Sequence, residues 1–227
     1  MSNIRSILLS NRIVGVILLI VLAFIAGPNT LPRVLSSLLP AVFYEGVPCA
    51  WLRTAEDRAN HQSLLGRAAS NPISVRVQVD PLPTDPSTLW EVRIIVTNES
   101  FGTVPFVYSP NQVIVGDNGS SGLGLIFTPP NSLVTGGQRA NTTIIPDSAI
   151  RLLGPRQRCV HTVEFPAGNV LIDGNIRAGL TQVRAYYRNN SRGQVVQPPG
   201  VVATPIFNDQ GLWTGYVESP PAAIPAS

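Results

Sequence analysis

Two kinds of hydrophobic pattern divide this chain. From Ile13 to Ala26, fourteen consecutive residues carry no polar side chain. From Ile73 onward apolar and polar positions alternate instead. In "ISVRVQV" (73–79), Ile73, Val75, Val77 and Val79 fall on one face of an extended strand. The same short, β-branched texture recurs at 89–98, 112–117, 122–128, 140–146, 158–165, 179–189, 201–207 and 212–219. Turn-forming clusters such as "DPLPTDPS", "GDNGSSG", "TGGQ" and "NDQG" separate these segments. Short strands without helical spacing between them predict a mainly β domain, a β-sandwich over 73–219, with a closed barrel as the alternative. No repeat stands out at the 20–50-residue periods of propellers or solenoids.

The apolar run poses a different question. Fourteen residues of helix span about 21 Å, less than a hydrocarbon core of about 30 Å. Length alone therefore suits the apolar stretch of a cleaved signal peptide. The flanks argue for a retained anchor. Apolar character resumes upstream at Ile7–Leu9, so a helix from about Ile4 to Gly27 is long enough, with Arg12 snorkelling toward the headgroups. A signal peptidase cut after Ala26 would leave Phe24 at the −3 position, and a cut after Gly27 would leave Ile25 there with Pro28 following; both are poor sites. The run has no polar face, so a soluble core helix fits badly. A single membrane span is expected, with Ile13, Val14, Leu18, Leu19, Leu22, Phe24 and Ala26 in the bilayer. Arg5 and Arg12 precede it and no acidic residue does. The N-terminus is then cytoplasmic, and everything after Gly27 is extracytoplasmic.

Between span and sandwich, residues 29–72 read as a juxtamembrane connector. Pro32, Pro40 and Pro48 break the apolar stretch 31–52, which rules out a second spanning helix. Phe43, Tyr44 and Trp51, with Arg12, suit a membrane interface or a partner contact; a plain connector under the domain is the other reading. A short polar helix is expected over 53–70. Residues 220–227 are proline-rich and are expected to be free or laid along a partner.

Composition narrows the function classes. Charged residues make up 13%, against roughly 25% in ordinary soluble domains. The basic charge is all arginine and mostly scattered, with small clusters at Arg151/Arg156/Arg158 and Arg184/Arg188/Arg192. A nucleic-acid protein would show a denser basic stripe with interleaved aromatics, so no nucleic-acid partner is expected. Cys49 and Cys159 are the two cysteines. In an extracytoplasmic domain such a pair reads first as one disulfide, with two separate buried thiols as the alternative.

No catalytic or cofactor motif stands out. There is no nucleophile elbow, and "GSSGLG" (119–124) precedes no helix that could bind phosphate. One constellation invites a test. In "RCVHTVEF", Cys159 and His161 share a strand face with Val163 and Phe165, and two histidines with one cysteine is a blue-copper ligand set. The Cys-to-His gap is too short for that pattern, Met1 is the sole methionine, and the apolar neighbours mark the face as core. No cofactor, metal or enzymatic activity is expected. The sequons at Asn98, Asn118, Asn141 and Asn189 mark loop composition.

Three segments carry a wider likeness: "WEVRIIVTNES", "AIRLLGPRQRCVHTVEFP" and "AGLTQVRAYYRN". In layout they resemble bacterial extracytoplasmic immunoglobulin-like domains held on one N-terminal membrane anchor. The resemblance implies an immunoglobulin-like sandwich over about 73–219 and transfers no functional residue. Antibody-type Cys–Trp–Cys spacing is absent, because Cys49 precedes the first predicted strand. The expected function is that of a non-catalytic single-pass membrane protein. It would be an accessory or structural subunit of a larger membrane complex, with the bilayer and other membrane proteins as partners. The alternative is an envelope-anchored ligand- or glycan-binding module.

Overall fold

A computed structural model describes residues 14–15, 35–36, 38–40, 44–55, 71–109, 114–116, 119–130, 144–168, 176–195 and 209–226. Among them the chain is mainly β. In chain order the strands are β1 (Val47–Pro48), β2 (Ile73–Val79), β3 (Leu89–Asn98), β4 (Val104–Val107), β5 (Ile114–Val115), β6 (Gly122–Thr128), β7 (Ile150–Leu153), β8 (Arg158–Pro166), β9 (Gln182–Asn189), β10 (Gly215–Glu218) and β11 (Ala222–Ala223). A short 3₁₀ turn at Cys49–Trp51 follows β1, and another at Asp147–Ala149 leads into β7.

Two sheets face each other. One has the order β1-β8-β3-β2 and the other β10-β9-β6-β5, with β11 also pairing β9. A separate two-stranded sheet joins β4 to β7. The period-two pattern explains the layering. In β3, Trp90, Val92, Ile94 and Val96 point inward and are buried, while Glu91 and Arg93 alternate with them and are partly exposed. From β9, Val183, Ala185 and Tyr187 meet them from the facing sheet. Aromatic rings fill the core. Trp90 lies 5.5 Å from Phe165 and 6.3 Å from Phe127, and its indole Nε1–H donates to the Asp80 carbonyl at 2.9 Å. A second group stacks Tyr187 on Trp213 at 5.6 Å and sets Phe106 edge-on to Tyr187 at 6.0 Å. Such pairs add about 0.5–1.5 kcal/mol each beyond their burial. Opposite Tyr186, glycine at 124 leaves room for the tyrosine ring: a Cβ there would stand 2.3 Å from it and force it to shift.

The domain starts earlier than the expected boundary at Ile73. β1 pairs in parallel with β8, setting Val47 against Cys159 and Pro48 against Val160. Leu52 and Ala55 are buried in the common core, and the Leu152 N–H donates to the Arg53 carbonyl at 2.9 Å. Residues 44–55 of the expected connector thus belong to the sandwich. Thr54 sits in an antiparallel bridge to Arg151 rather than in a helix. Residues 56–70 of the expected helix lie outside the described residues.

The proline-rich tail is corrected in the same way. β11 continues the edge that β10 begins along β9, setting Ala222 opposite Val183. Between the two, Pro220 and Pro221 have no N–H to give. Ser219 bridges the gap: its N–H donates to the Ala185 carbonyl at 2.8 Å, and its Oγ accepts the Ala185 N–H at 2.9 Å. An edge strand tolerates proline because one side of its ladder is unpaired. Ile224 then drops into the core at 1% exposure. The tail is therefore not free: residues 222–224 are paired and packed within the domain.

The expected span lies outside the described residues except for Val14 and Gly15, both helical. Among the described residues no helix is long and apolar enough to cross a membrane. The strand expected at 201–207 also lies outside them, as do residues 140–143. Ile144–Pro146 belong to no strand, and Ile145 is buried.

The tail's place in the core sets a first expectation. Ile224→Ala should lower unfolding free energy by about 2–4 kcal/mol in urea melts, as for other buried isoleucines. A shift within about 0.5 kcal/mol, normal for an exposed position, would return the tail to solvent.

Candidate functional site

β8 carries the chemistry-bearing side chains on two faces. Inward are Cys159 and His161; outward is Arg158. Cys159 is bonded to Cys49, with their Cα atoms 4.8 Å apart across a separation of 110 residues. Its sulfur therefore offers no thiolate to a metal. His161 is buried opposite Ile94, and its Nδ1 lies 2.8 Å from the Tyr108 hydroxyl, which it meets edge-on. The Arg151 guanidinium lies over the Tyr108 ring, 5.7 Å from its centre. Burial drives both titrations. It lowers the His161 pKa to about 4, so the imidazole is neutral. It raises Tyr108 to about 12, against a smaller opposing pull from Arg151. A neutral histidine bonded to an un-ionised tyrosine is a satisfied core pair. His61, the chain's other histidine, lies outside the described residues. Among the described residues no group of three or more His, Cys, Asp or Glu could hold a metal.

The outer face of the β1-β8-β3-β2 sheet is different. Here the segment before β1 lies against the strands. Gly46 makes this approach possible: its φ is +133°, and a Cβ would stand 2.6 Å from the Arg158 carbonyl oxygen. Next to it, Glu45 accepts from Arg93 Nη1 at 3.1 Å, while Arg93 Nη2 donates to Asp80 at 2.6 Å. Burial would lower the Arg93 pKa, but the two carboxylates outweigh it and raise it. Further back, Arg158 Nη2 donates to the Leu39 carbonyl at 2.5 Å, and its backbone N–H donates to Ser36 Oγ at 3.3 Å. The Arg158 guanidinium lies 6.0 Å from the Tyr44 ring centre. Burial lowers the Arg158 pKa, helped by the like charge of Arg76. Burial also raises Tyr44, with Arg158 opposing.

Of the residues expected at a membrane or partner interface, Tyr44 is half-buried in this arrangement and Trp51 is 77% exposed. Arg12 and Phe43 lie outside the described residues. The sequons at Asn98 and Asn189 turn out to be structural. Each ends a central strand and is buried, and each accepts the N–H of the serine two residues on. Asn98 Nδ2 donates to the carbonyls of Leu153 and Gly154, and Asn189 Nδ2 to that of Trp213. Repeated N-x-S at strand ends, read as a turn-closing device, was the available signal. Asn118 and Asn141 lie outside the described residues.

No family model matches the chain, and neither a curated protein nor a solved structure does.

The His161 environment makes stability depend on pH with a definite sign. Its folded pKa of about 4 lies below the ordinary 6.5, so the unfolded chain takes up the proton first. Stability is complete above about pH 6.5, falls as the pH drops toward 4, and is lost no further by this group below that. The gap corresponds to about 3 kcal/mol. Urea unfolding at pH 7 and pH 4 should show wild type losing about that much more than His161→Gln. Parallel losses in the two proteins would mean that His161 is not held neutral in the fold.

Proposed function

We propose that this chain is a non-catalytic single-pass membrane protein. Its sandwich stands on the extracytoplasmic side and serves as an accessory or structural subunit of a larger membrane complex. The observation that carries this reading is the contact made just after the apolar run. Ser36, which accepts the β8 backbone N–H of Arg158, lies only ten residue steps beyond Ala26. Fully extended, ten residues reach at most about 35 Å, so a span ending at Ala26 would hold this sheet close to the bilayer. The disulfide supports an oxidising, extracytoplasmic setting. The expected cytoplasmic N-terminus agrees with it. The immunoglobulin-like character of the sandwich is part of the proposal. The order β2-β3-β8 facing β6-β9-β10 supports it, because it follows the A-B-E and C-F-G arrangement of that fold.

One observation favours the second reading, an envelope-anchored ligand- or glycan-binding module. Tyr216 is 39% exposed on the outer face of the β10-β9-β6 sheet, 5.7 Å from the Tyr186 ring and 4.9 Å from the Arg188 guanidinium. A flat aromatic with neighbouring polar groups suits a sugar face.

Gentle detergent extraction of native membranes followed by native electrophoresis separates the two. The subunit reading expects the chain in a band of higher mass with defined partner proteins. Migration as a lone monomer would overturn it and leave the module reading.

A further inference from the structure

The outer face of the β1-β8-β3-β2 sheet contains a cleft of about 610 Å³ that the reading above does not use. Strand register explains how it forms. Ser74, Thr97 and Arg158 sit side by side on β2, β3 and β8, and Arg76 and Ile95 form the next row. Residues on one face of neighbouring strands therefore bring together charges from distant parts of the sequence. Arg76, Arg156 and Arg158 all line the cleft, with Thr97, Glu99 and Phe101.

Charge in the cleft is not balanced. Among the described residues Glu99 is the one carboxylate in the lining, and it is tied to the wall: one oxygen accepts from Ser74 Oγ at 2.7 Å and the other from Arg156 Nη1 at 3.0 Å. Among the described lining residues, three guanidinium groups against one carboxylate leave an excess of two positive charges. Arg76 makes no ion pair among the described residues. Arg158 is only 8% exposed, and its buried Nε has no hydrogen-bond partner. A buried guanidinium donor without an acceptor is costly unless something supplies one. Arg156 adds a third sign. Its φ is +52°, a left-handed conformation that a glycine would hold without strain, yet an arginine stands there. The strained turn sets its guanidinium at the rim, 5.1 Å from the centre of the Phe101 ring.

We propose that this cleft binds a phosphate group, either free phosphate or the phosphodiester of an anionic lipid headgroup. Guanidinium forks match the geometry of a tetrahedral oxyanion, and the Thr97 hydroxyl adds a donor of the right kind. Two uncompensated charges suit a phosphate better than a single carboxylate. Ser36 and Pro40 of the segment before the sandwich also line the cleft, but the arginines and Thr97 proposed to hold the phosphate belong to the sandwich, so phosphate binding can be tested apart from the membrane-complex reading.

The test uses the full chain in dodecylmaltoside micelles and isothermal titration calorimetry. Inorganic phosphate is one probe. Monomeric dihexanoyl phosphatidylglycerol is the second, with dihexanoyl phosphatidylcholine as its zwitterionic control. Binding of phosphate alone identifies the free anion as the source. Binding of the glycerol lipid over the choline lipid identifies the headgroup. In either case Arg76→Gln should weaken binding by about tenfold, and Arg76→Gln with Arg156→Gln should abolish it. Both positions are exposed, so the urea midpoint of these variants should not move; Arg158 is left intact because it also holds Leu39. Absence of binding by both anionic probes, or binding unchanged in the double variant, would overturn the proposal.

Discussion

The bond between Cys49 and Cys159 is the constraint on which the arrangement of this protein depends. β1 is two residues long and pairs in parallel with β8, a strand more than a hundred residues further along the chain. A two-residue ladder supplies a few hydrogen bonds of about 1 kcal/mol each, too little to hold such a long loop closed. In the chain-entropy view, a disulfide closing a loop of this length contributes about 4–5 kcal/mol. The cross-link therefore lets a marginal strand become the edge of a stable sheet. Its neighbours depend on the same placement. Gly46 can pass against the Arg158 carbonyl only with the chain pinned there, and Leu52 and Ala55 reach the core only downstream of it.

With the chain pinned at Cys49, the residues before it are drawn across the outer face of the sheet. Arg93 and Arg158 are the two clamps, one closing on Glu45 and Asp80, the other on Leu39 and Ser36. Each clamp is partly shielded, so its polar contacts count for more than they would on an open surface. Part of the face is covered by the protein's own chain, and beside it lies the arginine-lined cleft. The core chemistry is fully occupied elsewhere. His161 and Tyr108 satisfy each other, and Cys159 is spent on the bridge. Among the described residues, the surface presents charge in the cleft, Trp51 in solvent, and Tyr216 on the opposite sheet.

Sequence pattern recovered the strands that have one wet face. β2, β3 and β6 begin and end where alternation predicts, and β8 runs one residue further. β4 and β7 were not legible, because all four residues of each are buried and Pro105 interrupts the first; without a polar side there is no alternation to read. β1 and β11 are too short to carry a period. The tail misled for a physical reason: Pro220 and Pro221 look like breakers, yet an edge position accepts them and the serine hydroxyl completes the ladder. The inward face of Cys159, His161, Val163 and Phe165 was readable from spacing alone. The cleft was only half visible, since Arg156 and Arg158 are close in sequence while Arg76 joins them through strand register, which no local pattern reveals.

The most direct test of the tether is hydrogen exchange of the oxidised protein beside the double variant Cys49→Ser/Cys159→Ser. Without the bridge, amides of residues 44–55 are expected to lose their protection while those of β3, at the centre of its sheet, keep theirs. Equal protection of residues 44–55 in the two proteins would contradict the view that the disulfide holds this segment to the sandwich.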